Sequence, residues 1–438
     1  MEDTDTSRIS GWLGLIFCCL VGSYFSLTAA YALLNASDYA SDLPRQIRYF
    51  LTPLSIGCLF FLMGFVLRPE SRLMVGLTAV SVLFALFVFE SFMTVRVISQ
   101  FQGLAAASQE GLEDKTTPFR RAMPPAYTLK ALNAELGVED ASDAMLGGIP
   151  GTDVLLCTLH GEPVAYRADR YGFRNPDEIH DHPVDLLVLG DSFAEGVCLP
   201  DGQDLVSQIR DYIPATFNTG TRGAGPLFEL ALLRRWGPEI TPPDTLFFFF
   251  EGNDWQNLMG EKRKGYLLEN LESPTPPGPA TPKPDQIDES ARIITEWWEE
   301  YFDGSYYSRR PWLRNFIALQ ETAGVLGLHY PKGFPEQPEF QEILRTASAV
   351  AKDWNGHVGL VFIPVVDRYI GLLPNGFAHD GLRYKVRDAA EEAGVNFIDL
   401  TDSFAATKDP RSLYGSDAHL SEEGAALAAR VVKDALGK

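Results

Sequence analysis

Cysteine is scarce. Five residues in 438 are too few for a disulfide scaffold. Cys18, Cys19 and Cys58 lie in apolar runs. Cys157 and Cys198 fall in the soluble part of the chain, where they either pair in an oxidising compartment or stay as two buried free thiols. Positive charge is also short: Lys and Arg total 37 against 58 Asp and Glu, a formal net charge of −21. That deficit excludes nucleic acid as a partner, because phosphate neutralisation needs clustered cations. It equally excludes a polybasic membrane patch. There is no internal repeat. His180-Asp181-His182 invites a metal reading, but a solvated loop is expected there, and the remaining histidines lack ligand spacing. No metal or cofactor is required.

What is present is an uneven distribution of apolar residues. Gly11–Leu34 and Phe50–Leu67 carry no charge, and Leu73–Val95 carries only Glu90. Each approaches the ~20 residues that cross a ~30 Å hydrocarbon core. Backbone groups in lipid must bond internally, so three transmembrane helices are expected, at about 11–34, 50–67 and 73–95, in a membrane region over 1–96. Thr28-Ala29-Ala30 offers small residues near a signal cleavage site. However, Met1–Ser10 has one Arg and three acids, and the run is long for a signal peptide. The short basic turn Arg68-Pro69-Glu70-Ser71-Arg72 favours the cytoplasm, which puts the chain after Val95 outside; Arg45 and Arg48 oppose this. Glu90 lies near a helix end and is expected to reach headgroup water rather than serve inside the membrane.

Residues 97–183 read as a connector with a helical piece near Tyr127–Gly137 and a short β pair at Thr152–Thr158 and Pro163–Arg167. From about 184 to the end, strands and helices alternate. The expected strands are Asp185–Leu189, Ala215–Asn218, Thr245–Phe250, His357–Pro364 and Val395–Leu400. Their runs are mostly apolar, as a parallel sheet covered on both faces requires. A stretch at about 257–338 breaks the rhythm. Six prolines between Pro274 and Pro284 continue neither helix nor central strand. Trp297, Trp298, Tyr301, Phe302, Tyr306, Tyr307 and Trp312 cluster after them, as a satellite core or as a surface for sugars or membrane.

Four motifs fall where a parallel sheet presents chemistry, at the carboxyl ends of strands. Gly190-Asp191-Ser192-Phe193 follows the first strand, with Ser192 either nucleophile or helix cap. Asn218-Thr219-Gly220-Thr221-Arg222-Gly223-Ala224-Gly225 follows the second and lacks a P-loop ending. Gly252-Asn253-Asp254 follows the third; Asn253 can donate to an oxyanion or form an Asx turn. Asp417-Ala418-His419 precedes the last helix. His takes a serine proton near neutral pH, and a nearby carboxylate holds its tautomer. Together these residues supply nucleophile, base, orienter and oxyanion donors.

On these four motifs, residues 184–438 resemble the SGNH/GDSL hydrolase family. The resemblance implies a three-layer α/β/α fold around a flavodoxin-like parallel sheet, and esterase, lipase or acetyl-transfer chemistry. It assigns Ser192, His419 and Asp417 as catalytic, and Ser192, Gly223 and Asn253 as the oxyanion hole. Asp191 and Asp254 become turn and supporting groups. The usual family spacing is Asp-x-x-His, whereas this chain has Asp-x-His, a form also found in membrane-tethered members resembling polysaccharide acetylation proteins. The expected function is a membrane-anchored serine esterase or acyltransferase acting on O-acetyl groups of an envelope or exported polysaccharide. The lipid bilayer holds it through the N-terminal helices, and membrane partner proteins are envisaged. The expected location is a bacterial inner membrane, with the hydrolase domain outside. Two alternatives are a lipid or lysophospholipid esterase and a non-catalytic glycan-binding or scaffold subunit.

Overall fold

The computed structural model describes residues 2–36, 43–113, 120–121, 133–135, 137, 144–159, 162–272, 312–328, 334–373 and 375–438. Of the expected helical piece Tyr127–Gly137, residues 133–135 are described and are helical. The proline stretch 274–284 and the aromatics from Trp297 to Tyr307 lie outside the described residues. The chain forms two compact units. One comprises Met1–Gln102, Arg310–Pro335 and Ile370–Gly381, and the other Gly103–Arg309, Glu336–Tyr369 and Leu382–Lys438.

The first unit is built on long helices, Glu2–Leu34, Thr52–Val66 continuing directly from the π-helix Gln46–Leu51, and Pro69–Glu113. They hold three apolar stretches long enough to cross a membrane, Ile9–Leu34, Gln46–Val66 and Pro69–Ile98, which suggest a membrane anchor. Small residues let their backbones approach, the usual solution where lipid gives no hydrophobic drive for helix association. A Cβ on Gly14 would lie 2.6 Å from the Leu73 nitrogen, and one on Gly57 would lie 2.5 Å from Ser26 Oγ. The third helix does not stop near Val95 as the hydropathy suggested. It runs on to Glu113, because a polar composition ends an apolar run without ending a helix.

Glu90 also departs from expectation. It is fully buried rather than in contact with headgroup water. Its carboxylate accepts hydrogen bonds from the Glu321 N–H at 3.1 Å and from the Thr322 N–H and Oγ1–H, each at 2.7 Å. These donors begin the short helix Gln320–Leu326. Unpaired amides at a helix start satisfy a carboxylate as water would.

The second unit holds two sheets. In the smaller one, β1 (Arg120–Arg121) pairs parallel with β2 (Asp153–Leu159), and β2 pairs antiparallel with β3 (Glu162–Arg167), Asp153 opposite Arg167. In the larger sheet, β4 (Leu186–Gly190), β5 (Thr216–Asn218), β6 (Asp244–Phe250), β7 (His357–Ile363) and β8 (Asn396–Asp399) are all parallel, in the order β5-β4-β6-β7-β8. This is the flavodoxin-like order, with its switch point between β4 and β6. Alternate residues face opposite sides. Phe248, Leu186 and Val188 join a core with Val206, Ile209, Ala425 and Val432, from the helices Leu205–Arg210 and Glu422–Leu436. Phe249 turns the other way and meets Phe340 of the helix Pro338–Lys352, with ring centroids 5.3 Å apart. Helices on both faces explain why β4 and the middle of β6 are buried along their length.

Cys157 in β2 and Cys198 form a disulfide, with Cα atoms 5.5 Å apart, inside the range such a bridge spans. It ties the small sheet to the chain that follows Gly190–Glu195. The bridge closes a loop of sequence separation 41, a constraint on the unfolded chain of roughly 4 kcal/mol. The double variant Cys157→Ser/Cys198→Ser is expected to lose stability up to that order. Comparing thermal unfolding of wild type and variant, with and without reductant, checks this. Reductant should lower the wild-type Tm and leave the variant unchanged.

Candidate active site

The site lies where β4, β5 and β6 end. Gly190 closes β4 in tight quarters; a Cβ there would approach Ala194 Cβ to 2.9 Å and Phe248 Cβ to 3.0 Å. Asp191, not Ser192, caps the short helix Ser192–Glu195, accepting from the Phe193 N–H at 2.9 Å. Ser192 is therefore left free of a capping role. Its Oγ lies 2.9 Å from His419 Nε2 and 3.4 Å from Asp191 Oδ2.

His419 completes a chain. Its Nδ1 is 3.0 Å from Asp417 Oδ2. Burial pushes the Asp417 carboxyl up, but the hydrogen bond and charge of His419 outweigh it and hold it below the usual carboxylate value. An ionised carboxylate only accepts, so it takes the Nδ1 proton and leaves the Nε2 lone pair for Ser192 Oγ–H. The two-residue spacing works through backbone conformation. Ala418 has φ +69°, a left-handed conformation that costs a Cβ-bearing residue ~1–2 kcal/mol. The reversal is held by the Gly415 N–H donating to the His419 carbonyl at 2.8 Å and the Ala418 N–H to the Gly415 carbonyl at 3.1 Å.

The other sequence-assigned residues converge here. Gly223 has φ +71°, which its loop needs and which glycine adopts without strain. Among the described residues, neither the Ser192 nor the Gly223 N–H donates to a protein acceptor. Asn253 makes no side-chain cap, so the Asx-turn alternative does not apply. Its Oδ1 is buried without a partner among the described residues. Asp254 accepts from the Phe250 N–H at 2.7 Å and so closes the turn after β6.

Sequence reasoning missed three features. Glu195 is fully buried and takes a forked contact from Arg222, with Nε at 2.7 Å from Oε2 and Nη2 at 2.9 Å from Oε1. It thereby joins the serine loop to the loop carrying Gly223. Glu195 and Arg222 are 27 positions apart, and no local pattern announces such a pair. His180 is not in a solvated loop. Its Nε2 meets Asp169 Oδ2 at 2.8 Å with its side chain 6% exposed, packed on Tyr171 and Phe217. The apolar neighbours that bury it are remote in sequence. Finally, Asp191, Glu229, Asp254 and Glu261 form a set of buried acids. Burial, then the charges of Asp191 and Glu229, push the Asp254 carboxyl well above the ordinary range. Burial, then the charges of Glu261 and Asp191, do the same to Glu229.

A serine, histidine and aspartate in hydrogen-bonded series at the edge of a parallel sheet define the class: an ester hydrolase. The chain belongs to the GDSL-like Lipase/Acylhydrolase family, whose sequence pattern it matches over residues 188–427. No curated protein sequence matches it. Solved structures similar to it include a G-D-S-L lipolytic protein from Veillonella parvula, 13% identical, covering 58% of this chain and 98% of that one, with TM-score 0.31. An esterase from Pseudoalteromonas sp. is 14% identical, covering 57% and 96%, with TM-score 0.31. An acetylxylan esterase from Geobacillus stearothermophilus is 15% identical, covering 58% and 94%, with TM-score 0.30.

Two outcomes are expected. Ala418→Val places a β-branched side chain at a left-handed position and should lower kcat/KM about tenfold or more, whereas Ala418→Gly should retain activity; steady-state ester hydrolysis distinguishes them. The second concerns pH. Burial pushes the Asp191 carboxyl up to about 6 against the opposing effects of the Phe193 N–H, His419, Asn253 and Ser192. The folded state therefore holds that proton more tightly than the unfolded chain between about pH 4 and pH 6. Asp191 thus weakens the fold as pH rises through that window, by up to ~3 kcal/mol at neutral pH. Asp191→Asn should raise the Tm more at about pH 7.5 than at about pH 4.5, as thermal unfolding across pH would show.

Proposed function

We propose that the protein is a membrane-anchored serine esterase or acyltransferase that removes or transfers short acyl groups, acetyl above all, on an envelope or exported polysaccharide. The observation that carries the reading is the Asp417–His419–Ser192 series, at 3.0 and 2.9 Å. Ser192 Oγ attacks the ester carbonyl while His419 Nε2 takes its proton. The oxyanion forms against the Ser192 and Gly223 N–H groups and the Asn253 amide. The tetrahedral species collapses and the C–O bond to the leaving alcohol breaks. His419 returns the proton to that alcohol, leaving acyl-Ser192. Water or a sugar hydroxyl, deprotonated by the same histidine, then attacks the acyl carbon; the acyl C–Oγ bond breaks and His419 returns the proton to Ser192 Oγ. Asp191 and Asp254 hold turns and transfer no proton.

Phe193, Val197, Leu199, Leu205 and Leu420 line a narrow crevice beside Ser192 and His419. The net charge of −21 favours an uncharged polymer over an anionic one. We take residues 1–96 as the membrane region, 97–183 as connector and 184–438 as the catalytic part with its insertion at 257–338. The disulfide supports an extracytoplasmic catalytic part, since such bonds persist in oxidising compartments. The basic turn Arg68–Arg72 supports the same side, and a bacterial inner membrane is the setting that fits.

The test uses the full chain in detergent or nanodiscs with p-nitrophenyl acetate. Wild type is expected to turn over and to show acetate on Ser192 by intact mass, with Ser192→Ala silent. A wild type that neither turns over nor labels would turn the reading toward a non-catalytic glycan-binding subunit. Activity on micellar lipids but not on dispersed acetyl esters would turn it toward a lipid esterase.

A further inference from the structure

Large apolar side chains are exposed very unevenly outside the long helices. Among the described residues of the unit that holds the parallel sheet, the large apolar residues exposed are Tyr212, Met259, Leu268 and Tyr384, none above 45% and none adjacent in sequence. Isolated cases of this kind are ordinary. In the helical unit, two segments remote from the N-terminus behave differently. Leu313 is 73% exposed and Leu372 is 76% exposed, and Ile317, Leu328, Leu373 and Phe377 accompany them.

The two segments are held together. The Leu372 and Leu373 N–H groups donate to the Val325 and Leu326 carbonyls, each at 3.1 Å. Gly327 and Gly371 pack so closely that a Cβ on Gly371 would lie 2.4 Å from Gly327 Cα. The segment 312–328 is in turn fixed to the long helices. Tyr24 Oη–H donates to the Ile317 carbonyl at 2.6 Å. Phe87 meets Phe316 with ring centroids 5.4 Å apart. The Glu90 carboxylate takes the first amides of the helix Gln320–Leu326.

These contacts set a depth. Glu90 follows Arg72 by eighteen residues of one continuous helix, ~27 Å at 1.5 Å per residue. With Arg72 at one boundary of a ~30 Å hydrocarbon core, Glu90 and the segment bound to it lie at the other boundary. A chain held at that level meets acyl chains and headgroups, and outward-facing leucines and phenylalanine suit that surroundings. In water the same patch would be an unprotected apolar surface.

We propose that segments 312–328 and 370–378 form a membrane-interfacial wedge, with Leu313, Ile317, Leu328, Leu372, Leu373 and Phe377 inserted at the acyl boundary of a lipid bilayer. The ligand is lipid, and Glu90 is a positioning residue that fastens the wedge to the third span. The wedge rests on the membrane-anchor reading, and the test separates the two.

The full chain would be reconstituted in phosphatidylcholine/phosphatidylglycerol nanodiscs doped with a lipid carrying a photoreactive diazirine on its acyl chain. Adducts would then be mapped by peptide mass spectrometry. Adducts on the three spans and on both 312–328 and 370–378 are expected. Adducts on the spans with none on the two segments would overturn the wedge, leave the anchor intact and assign the patch to a protein partner. No adducts on the spans would overturn the anchor and the wedge with it. Leu372→Asp/Leu373→Asp changes two exposed side chains and should abolish adducts on 370–378 while those on the spans persist. Retained adducts on 370–378 in that variant would also overturn the proposal.

Discussion

Parallel pairing is the constraint on which the site depends. Strands that all run one way all end at one edge, and the chain must turn there each time. In the order β5-β4-β6, the loops carrying Gly223, Ser192 and Asn253 follow three adjacent strands, each ~4.8 Å from the next. Residues separated by some thirty positions in sequence thus become neighbours through the sheet alone, and contacts between their loops then fix the fine geometry. The condition is a sheet buried on both faces, because parallel strands need crossover helices, and those helices cover the sheet. Leu186-Leu187-Val188-Leu189 and the phenylalanines of β6 meet that condition.

The proposed base comes from outside this scheme. His419 precedes the helix Glu422–Leu436, whose apolar side packs over Val206 and Ile209. That packing brings the loop to the sheet edge but does not aim the imidazole. The aim comes from a local reversal at Ala418, where φ +69° lets Asp417 reach the Nδ1 of a histidine only two residues on. The cost of a left-handed alanine is of the order of one ordinary hydrogen bond. The backbone bonds around Gly415 and the Asp417–His419 contact are enough to offset it. Asp191 is nearer to Ser192 in sequence, yet it is poorly suited to be its base. It already accepts from Phe193, and its Oδ2 is farther from Ser192 Oγ than His419 Nε2 is.

Much of this was legible beforehand, and the reason is that local signals carried it. Apolar runs bounded by glycine and asparagine mark buried strands, and each strand of the large sheet lies within two residues of its expected position. Ser192, Gly223 and Asn253 drew attention because they follow strand ends, where a parallel sheet displays chemistry, and His419 because Asp417-Ala418-His419 pairs a carboxylate with an imidazole just before the last helix. The pairing of Cys157 with Cys198 was not, since a free and a bonded cysteine look alike in sequence. Nor was the Glu195–Arg222 fork, whose members meet only after β4 and β5 pair. Glu90 was located correctly near a helix end but misread in its partner. Nothing local distinguishes a carboxylate that faces water from one that faces the amides of a helix 230 positions later. The helix beyond Val95 was missed because hydropathy reports lipid contact and not backbone conformation.

The missed features share a consequence for the chemistry. An oxyanion hole is effective when its donors are already in place, since a site that must reorganise during the reaction gives back part of what the donors contribute. The Gly223 N–H, proposed as one of those donors, sits on a loop, and loops are the least constrained parts of a fold. Here the loop is pinned from several sides. Arg222 grips the buried Glu195 through two guanidinium contacts, and the Thr221 N–H donates to the Gly190 carbonyl at 2.9 Å. Asn218 donates to the Ala194 carbonyl and accepts from the Gly220 N–H, each at 2.8 Å. Each of these bonds runs between the serine loop and the glycine loop or within the latter. A displacement of Gly223 relative to Ser192 would therefore break several bonds in a largely dry environment, where each is costly to lose. The same arrangement gives a charged pair, Glu195 and Arg222, a reason to be buried beside the serine proposed as nucleophile. Neither group needs to touch substrate, because what the pair holds constant is the distance between two backbone N–H groups.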